Sequence, residues 1–346
     1  MRIVYIGNFK GKDDEGFTKI SMMFYNFFSK KNYVLKFNTN ECLRYKTFLK
    51  IFRFNPDIIH YLSGPTIRSF FILRLFKFIF RNDIKYIVSA TRPFFSGITT
   101  KFISIFKPDL VFGQSEKWNS LFKKNRIDTI FVPNPICLNK FKKLRDSQKK
   151  LRIKYELPIE KKLLLHIGHI KRNRNIELLA DLQERVSKRN YQVIIVSSTH
   201  FYPEPEPFQK LIDSGCIILN YYIENIAEIY NACDYYIFPV LGLQQDFYPK
   251  SLKQVGVIDM PLSVLEALSC ELPVISTPID SVKFLIKNID SSLSPVKWFN
   301  GDVESLIKIL EKMESQNVYD FMTVKQQISS KNVFNNVEKI YMDIIK

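Results

Sequence analysis

Short aliphatic, β-branched runs alternate with helical patterns along this chain, in two successive series. The first series reads Arg2–Gly7, Tyr33–Phe37, Asp57–Leu62, Lys85–Ala90 and Asp109–Phe112. The second reads Leu163–Ile167, Tyr191–Val196, Cys216–Leu219, Asp234–Pro239 and Pro273–Ser276. A strand followed by a helix and then another strand pairs its strands in parallel, because only a crossover returns the chain to the same edge. The expectation is therefore an α/β protein of two doubly wound domains, and 346 residues suffice for two cores. The charged, core-poor stretch 142–162, after Val132-Pro-Asn-Pro135, marks the break. The expected domains are 1–145 and 160–325, with an amphipathic helix over 331–346 that either completes the second domain or packs back on the first. In such sheets ligands sit outside the carboxyl ends of the strands, so the expected site is a central cleft between the domains.

Charge divides at the same place. Residues 1–150 hold 29 Lys+Arg against 10 Asp+Glu, whereas 151–346 hold 22 against 24. A basic half joined to a balanced half is a statement about partners. The segment from Arg68 to Arg81 and the run from Phe94 to Lys107 mix cations with aromatics. They fit either an anionic membrane surface or a core helix with snorkelling cations. A nucleic-acid-binding protein would explain the basic half but not the balanced one, and no nucleic-acid-binding motif is present. Five cysteines without a Cys-x-x-Cys pair suit reduced thiols better than disulfides or zinc. The first strand begins at Arg2, so no signal peptide is expected, and no apolar run is long enough to span a membrane.

Three segments carry chemistry. The loop Gly7-Asn8 to Gly16 follows the first strand, where glycines let backbone amides approach a ligand; it is equally an ordinary βα turn. The second is His166-Ile-Gly-His-Ile-Lys-Arg-Asn-Arg-Asn175. It crowds His169, Lys171, Arg172 and Arg174 at the entry to a helix, where the macrodipole disfavours cations unless an anion joins them. A diphosphate would resolve that conflict. A solvated loop, or a metal on His166 and His169, are the other readings; the metal lacks cysteine or carboxylate partners. The third is Asp259-Met-Pro-Leu-Ser-Val-Leu-Glu-Ala-Leu-Ser-Cys270, a short helix with one glutamate, Glu266, running into a buried strand. Its amino terminus is suited to an anion, and Glu266 to something attached to that anion.

Together these segments resemble retaining glycosyltransferases of the GT-B fold, family 4. Leu265-Glu-Ala-Leu-Ser-Cys-Glu-Leu-Pro-Val-Ile275 echoes the family's second glutamate and the strand after it. Gly168 to Asn175 echoes its Gly-Arg-x4-Lys-Gly loop, with His169 and Arg174 at the basic positions. Tyr230-Asn-Ala-Cys-Asp-Tyr-Tyr-Ile-Phe-Pro239 matches its strand-ending motif, and Pro133-Asn-Pro135 stands at its interdomain turn. The resemblance covers nearly the whole chain, most closely from about 163 to 280.

It implies two Rossmann-like domains and transfer of a sugar from a nucleotide-sugar donor to a glycan or lipid-linked acceptor. Glu266 would bind the donor ribose. Gly168, His169, Lys171, Arg172 and Arg174 would meet the diphosphate, joined by the helix start at Leu262 and Ser263. Arg174, Glu266 and Asp259 are the implied catalytic residues. The family's first glutamate falls on Ile258, and Asp259, one residue along, would take its place. Pro261 replaces a glycine, and Ser89-Ala-Thr-Arg92 stands where the family has a histidine. Without an Asp-x-Asp sequence, no metal or other cofactor is expected. The implied location is cytoplasmic, or peripheral at the inner membrane face. An epimerase or phosphorylase of the same fold is the alternative enzyme.

Overall fold

The computed structural model describes residues 1–11, 15–80, 83–95, 102–197, 202–241 and 259–346. Ile258, Arg81, positions 12–14 of the glycine loop and 96–101 of the aromatic-basic run lie outside the described residues. The chain divides into two compact units, 1–135 with 256–260 and 330–346, and 136–255 with 261–329.

The first unit is a six-stranded parallel sheet of β1 (Arg2–Gly7), β2 (Tyr33–Asn38), β3 (Ile58–Thr66), β4 (Lys85–Phe94), β5 (Leu110–Gly113) and β6 (Asp128–Phe131). The order is β2-β1-β3-β4-β5-β6, with the switch in direction between β1 and β3. Strand alternation sends Val4, Ile6, Ile59, Tyr61, Val88 and Val111 into one core. That core is closed by α2 (Tyr45–Phe54), α3 (Ile67–Ile79) and α4 (Glu116–Lys124) through Ile51, Phe70, Phe76 and Phe122. In the same unit, Phe24 and Phe28 of α1 (Gly16–Phe28) pack with the C-terminal helix Ser330–Ile345. Phe334 of that helix lies 5.0 Å from Phe24 and 4.8 Å from Phe27, ring to ring.

Beneath that aromatic layer runs a buried polar chain. His60 Nδ1 lies 2.5 Å from the Tyr341 hydroxyl and its Nε2 2.8 Å from the Ser89 hydroxyl; Tyr341 continues to Tyr5 at 3.4 Å. Both partners of His60 are hydroxyls, which donate or accept, so either neutral tautomer is satisfied. Burial holds His60 down to about 3. The unfolded chain therefore takes up a proton, below its ordinary value of 6.5, that the folded chain refuses. Stability contributed here is complete above that value and falls as pH drops toward 3, by about 1.4 kcal/mol per pH unit. Urea unfolding at pH 7 and pH 5 should differ by roughly 2 kcal/mol more in the wild type than in His60→Gln. Equal differences in the two proteins would refute this. Tyr341→Phe should cost about 1–3 kcal/mol by removing one of the ring's two partners.

The second unit opens with α5 (Gln148–Lys154) and builds a parallel sheet from β7 (Lys162–Gly168), β8 (Tyr191–Ser197), β9 (Ile217–Leu219), β10 (Tyr235–Phe238), β11 (Val274–Ser276) and β12 (Val296–Trp298). Its order, β12-β11-β10-β7-β8-β9, switches direction between β7 and β10. α6 (Glu177–Val186), α7 (Pro205–Asp213) and, later in the chain, Val303–Met313 cover one core through Leu179, Leu211 and Leu306. Also in this unit are α8 (Ile226–Ala232), α9 (Leu262–Ser269), α10 (Asp280–Ile286), the Val303–Met313 helix as α11, and α12 (Met322–Ile328).

The boundary of the first unit falls at Pro135, earlier than the 145 expected from composition, because 136–160 is bonded into the second unit. Arg152, 5% exposed, donates to the carbonyls of Ala232, Ile159 and Lys161 and pairs with Asp234 at 2.7 Å. A buried guanidinium this fully bonded ties its segment down, since an unpaired one would be costly. The charge that read as linker is partly a structural anchor.

Candidate active site

The site is built from the second unit, around the carboxyl ends of β7 and β10, where the sheet order reverses. β7 ends in His166-Ile167-Gly168. The His166 ring is buried, and its Nδ1 lies 2.9 Å from the Ile237 carbonyl, so Nδ1 carries the proton and donates. Burial pushes His166 down to about 4, which leaves it neutral at pH 7. Its ring stacks on Tyr236 at 6.4 Å. A Cβ on Gly168 would stand 2.9 Å from His166 Nε2, so the position needs glycine to let the strand end pass the ring. The ring is part of the packing between β7 and β10.

Beyond Gly168 the chain passes through His169, Lys171 and a 3-10 turn at Arg172–Arg174 before α6. His169, Lys171 and Arg174 are half-buried, whereas Arg172 is exposed. The Arg172 guanidinium faces Glu206 and lies 3.7 Å from Glu177, while its backbone N–H donates to Glu204 at 3.0 Å. Carboxylates of the protein thus balance Arg172. Asn175 closes the loop in the left-handed region, φ 53°, and its amide reaches the Pro239 carbonyl at 3.2 Å. That bond joins the loop after β7 to the loop after β10. Asparagine suits this position because it tolerates the left-handed region better than most residues.

α9 carries the lone glutamate. Its N-cap is Pro261, no side chain caps it, and no acidic residue lies in its first turn. Leu262 and Ser263 are half-buried, while everything from Val264 to Cys270 is buried. Backbone amides at the start of an uncapped helix, with the dipole behind them, favour an anion. α6 differs, because Glu177 already occupies its first turn. Glu266 is 4% exposed, and its Oε2 accepts from the Tyr230 hydroxyl at 3.1 Å. The same hydroxyl lies 3.2 Å from the Ser263 carbonyl. Tyr230 is pushed well above its ordinary value by burial and then by the Glu266 charge, so it remains a donor at any working pH. Phe141 and Tyr236 hold the Tyr230 ring at 6.2 and 5.8 Å. Tyr230 thereby fixes the glutamate, a role that reading the sequence did not assign to it. The available signal was its place at the head of the Tyr230-to-Pro239 motif.

The expected residues separate into groups. Gly168, His169, Lys171, Arg172, Arg174, Leu262, Ser263 and Glu266 all belong to the second unit. Asp259 belongs to the first, in the segment 256–260, where the neighbouring Met260 carbonyl accepts from Asn134 Nδ2 at 2.9 Å. Gln114 in turn donates to Asn134 Oδ1 at 2.6 Å, which gives the Pro133-Asn-Pro135 turn a structural role. Gly7, Asn8 and Gly16 are also in the first unit. A Cβ on Gly7 would stand 2.6 Å from Ser21 Oγ, and that oxygen accepts the Asn8 amide at 3.2 Å. Gly7 thus serves the close approach of β1 to α1, and Gly16 is the first residue of that helix.

Residues 161–313 match the family model for glycosyl transferases group 1. No curated protein matches the chain significantly by sequence. Among solved structures, HepE of Anabaena in complex with UDP superposes with a TM-score of 0.76 at 13% identity, over 99% of this chain and 100% of that one. HepE has also been solved with UDP-glucose. Sucrose-phosphate synthase of Thermosynechococcus elongatus gives 0.73 at 12% identity over 99% of both chains. A glycosyltransferase of Rickettsia africae gives 0.70 at 14% identity, over 100% of this chain and 98% of that one. The two Rossmann-like units are those of the GT-B fold.

Proposed function

We propose, from the match of residues 161–313 to the family model for glycosyl transferases group 1, that the chain moves a sugar from a nucleotide-sugar donor to a glycan or lipid-linked acceptor, with retention of configuration. The observation that carries this reading is the pairing on one short helix of an uncapped amino terminus with the buried, Tyr230-bonded Glu266. An anion held at Leu262 and Ser263 places whatever is attached to it along α9, and Glu266 is there to accept from paired hydroxyls. A ribose carries such a pair.

In this mechanism the diphosphate gains charge as the sugar departs. Half-buried Arg174 and Lys171, His169 and the α9 amides stabilise that charge without having to reorganise. Gly168 lets the loop pass close to the donor. Arg172 holds the loop through Glu177 and Glu206. The acceptor attacks from the face the diphosphate leaves, so no protein nucleophile is required, and no metal is given a role.

The test is a thermal-shift panel of UDP-, GDP- and ADP-sugars. A ligand at 100 times its Kd stabilises the protein by about 2.7 kcal/mol, with no acceptor present. UDP-sugars are expected to give the largest shift, because the similar HepE structures hold UDP and UDP-glucose. Absence of a shift with every donor would overturn the reading.

A further inference from the structure

Two helices of the first unit turn large apolar side chains outward. α2 buries Thr47 and Ile51, yet Tyr45 (74% exposed), Leu49 and Phe52 (71% exposed) form an i, i+4, i+7 stripe on its outer side. α3 buries Phe70, Leu73 and Phe76 while exposing Phe71, Phe78 (88%) and Ile79. Both helices cover the same sheet core, and Phe48 of α2 meets Phe76 of α3 at 5.2 Å. Their outer sides therefore face the same way. Lys46, Lys50, Arg53, Arg68 and Arg74 are exposed among these apolar groups, and neither helix contains an aspartate or glutamate.

We propose that the outer face of α2 and α3 docks on an anionic lipid bilayer, the aromatic side chains entering the headgroup boundary and the cations meeting lipid phosphates. Exposed aromatics on a cationic surface match that interface in both polarity and charge. A second copy of the chain would bring like charge against like. Among the described residues no helix is long and apolar enough to cross a membrane, so the contact is peripheral docking. The inference is independent of the donor chemistry, and lipid and donor binding are read separately on the same protein.

The experiment is sedimentation of the full chain with phosphatidylcholine vesicles of rising phosphatidylglycerol content, at low and high salt. Binding is expected to rise with phosphatidylglycerol and weaken with salt. Neutralising Lys46, Lys50 and Arg53 to Gln should lower partitioning about fivefold per cation at low salt. Phe52→Ser with Phe78→Ser should release the protein from vesicles at high salt, with the urea midpoint and UDP-induced thermal shift unchanged. Phe78→Trp adds a gain-of-signal readout, a blue shift of the new tryptophan on anionic vesicles. The proposal is overturned by no binding to vesicles of any composition or by equal binding to neutral ones. It is also overturned by loss of vesicle binding to competing duplex DNA, or by a dimer that the Phe52/Phe78 variant abolishes.

Discussion

Glu266→Ala is expected to reduce donor turnover by more than a hundredfold while the chain stays folded. Two hydroxyls of a bound ribose donating to a carboxylate would make two charge-assisted hydrogen bonds, each contributing about 1.5–3 kcal/mol. Losing both is roughly a 10²- to 10⁴-fold effect on the bound donor. Glu266→Gln separates charge from shape, because it can still accept from Tyr230 while losing the negative charge. Its affinity for UDP-sugar should fall between those of wild type and alanine. Tyr230→Phe removes the bond that fixes the carboxylate, 3.1 Å in length. It should raise the donor KM more than it lowers kcat. Isothermal titration with UDP and steady-state turnover are the measurements. Wild-type affinity in Glu266→Ala would remove the ribose assignment.

Arg174→Ala should weaken nucleoside diphosphate binding by about 1.5–3 kcal/mol, and Arg172→Ala by much less. Both arginines sit in the same 3-10 turn, so charge count cannot separate them. Arg172 is exposed and balanced by Glu206 and Glu177, whereas Arg174 is half-buried beside the β7 carboxyl end. Arg174→Lys keeps the charge but not the planar fork, and should recover only part of the affinity. The comparison is made with UDP alone, so that sugar contacts do not enter. An Arg172 variant that loses as much as the Arg174 variant would contradict this division of roles.

Ten of the sheet strands are legible along the chain because each is a short run rich in aliphatic or aromatic residues between helical patterns. β6 and β12 are not. Each lies at the edge of its sheet and pairs on one side only: Asp128–Phe131 alternates exposed with half-buried residues, and Val296–Trp298 spans three residues. An edge strand needs little apolar pattern, since its neighbour supplies the register. The loop from Gly168 to Asn175 and the α9 glutamate are likewise local, set by glycine, basic side chains and helix period.

Other features depend on partners distant in sequence. Nothing near Arg172 in the chain announces Glu206, and nothing near Glu266 announces Tyr230, 36 positions away. The placement of the C-terminal helix in the first unit likewise rests on Tyr341 meeting His60, 281 positions earlier. The basic residues illustrate both cases. Their concentration in the first half is a property of the sequence alone. Whether each cation neutralises a carboxylate, anchors a segment as Arg152 does, or stands exposed among outward phenylalanines follows from which groups folding brings within bonding distance. Local pattern sets backbone periodicity, but a charge acquires its role from its neighbours in space.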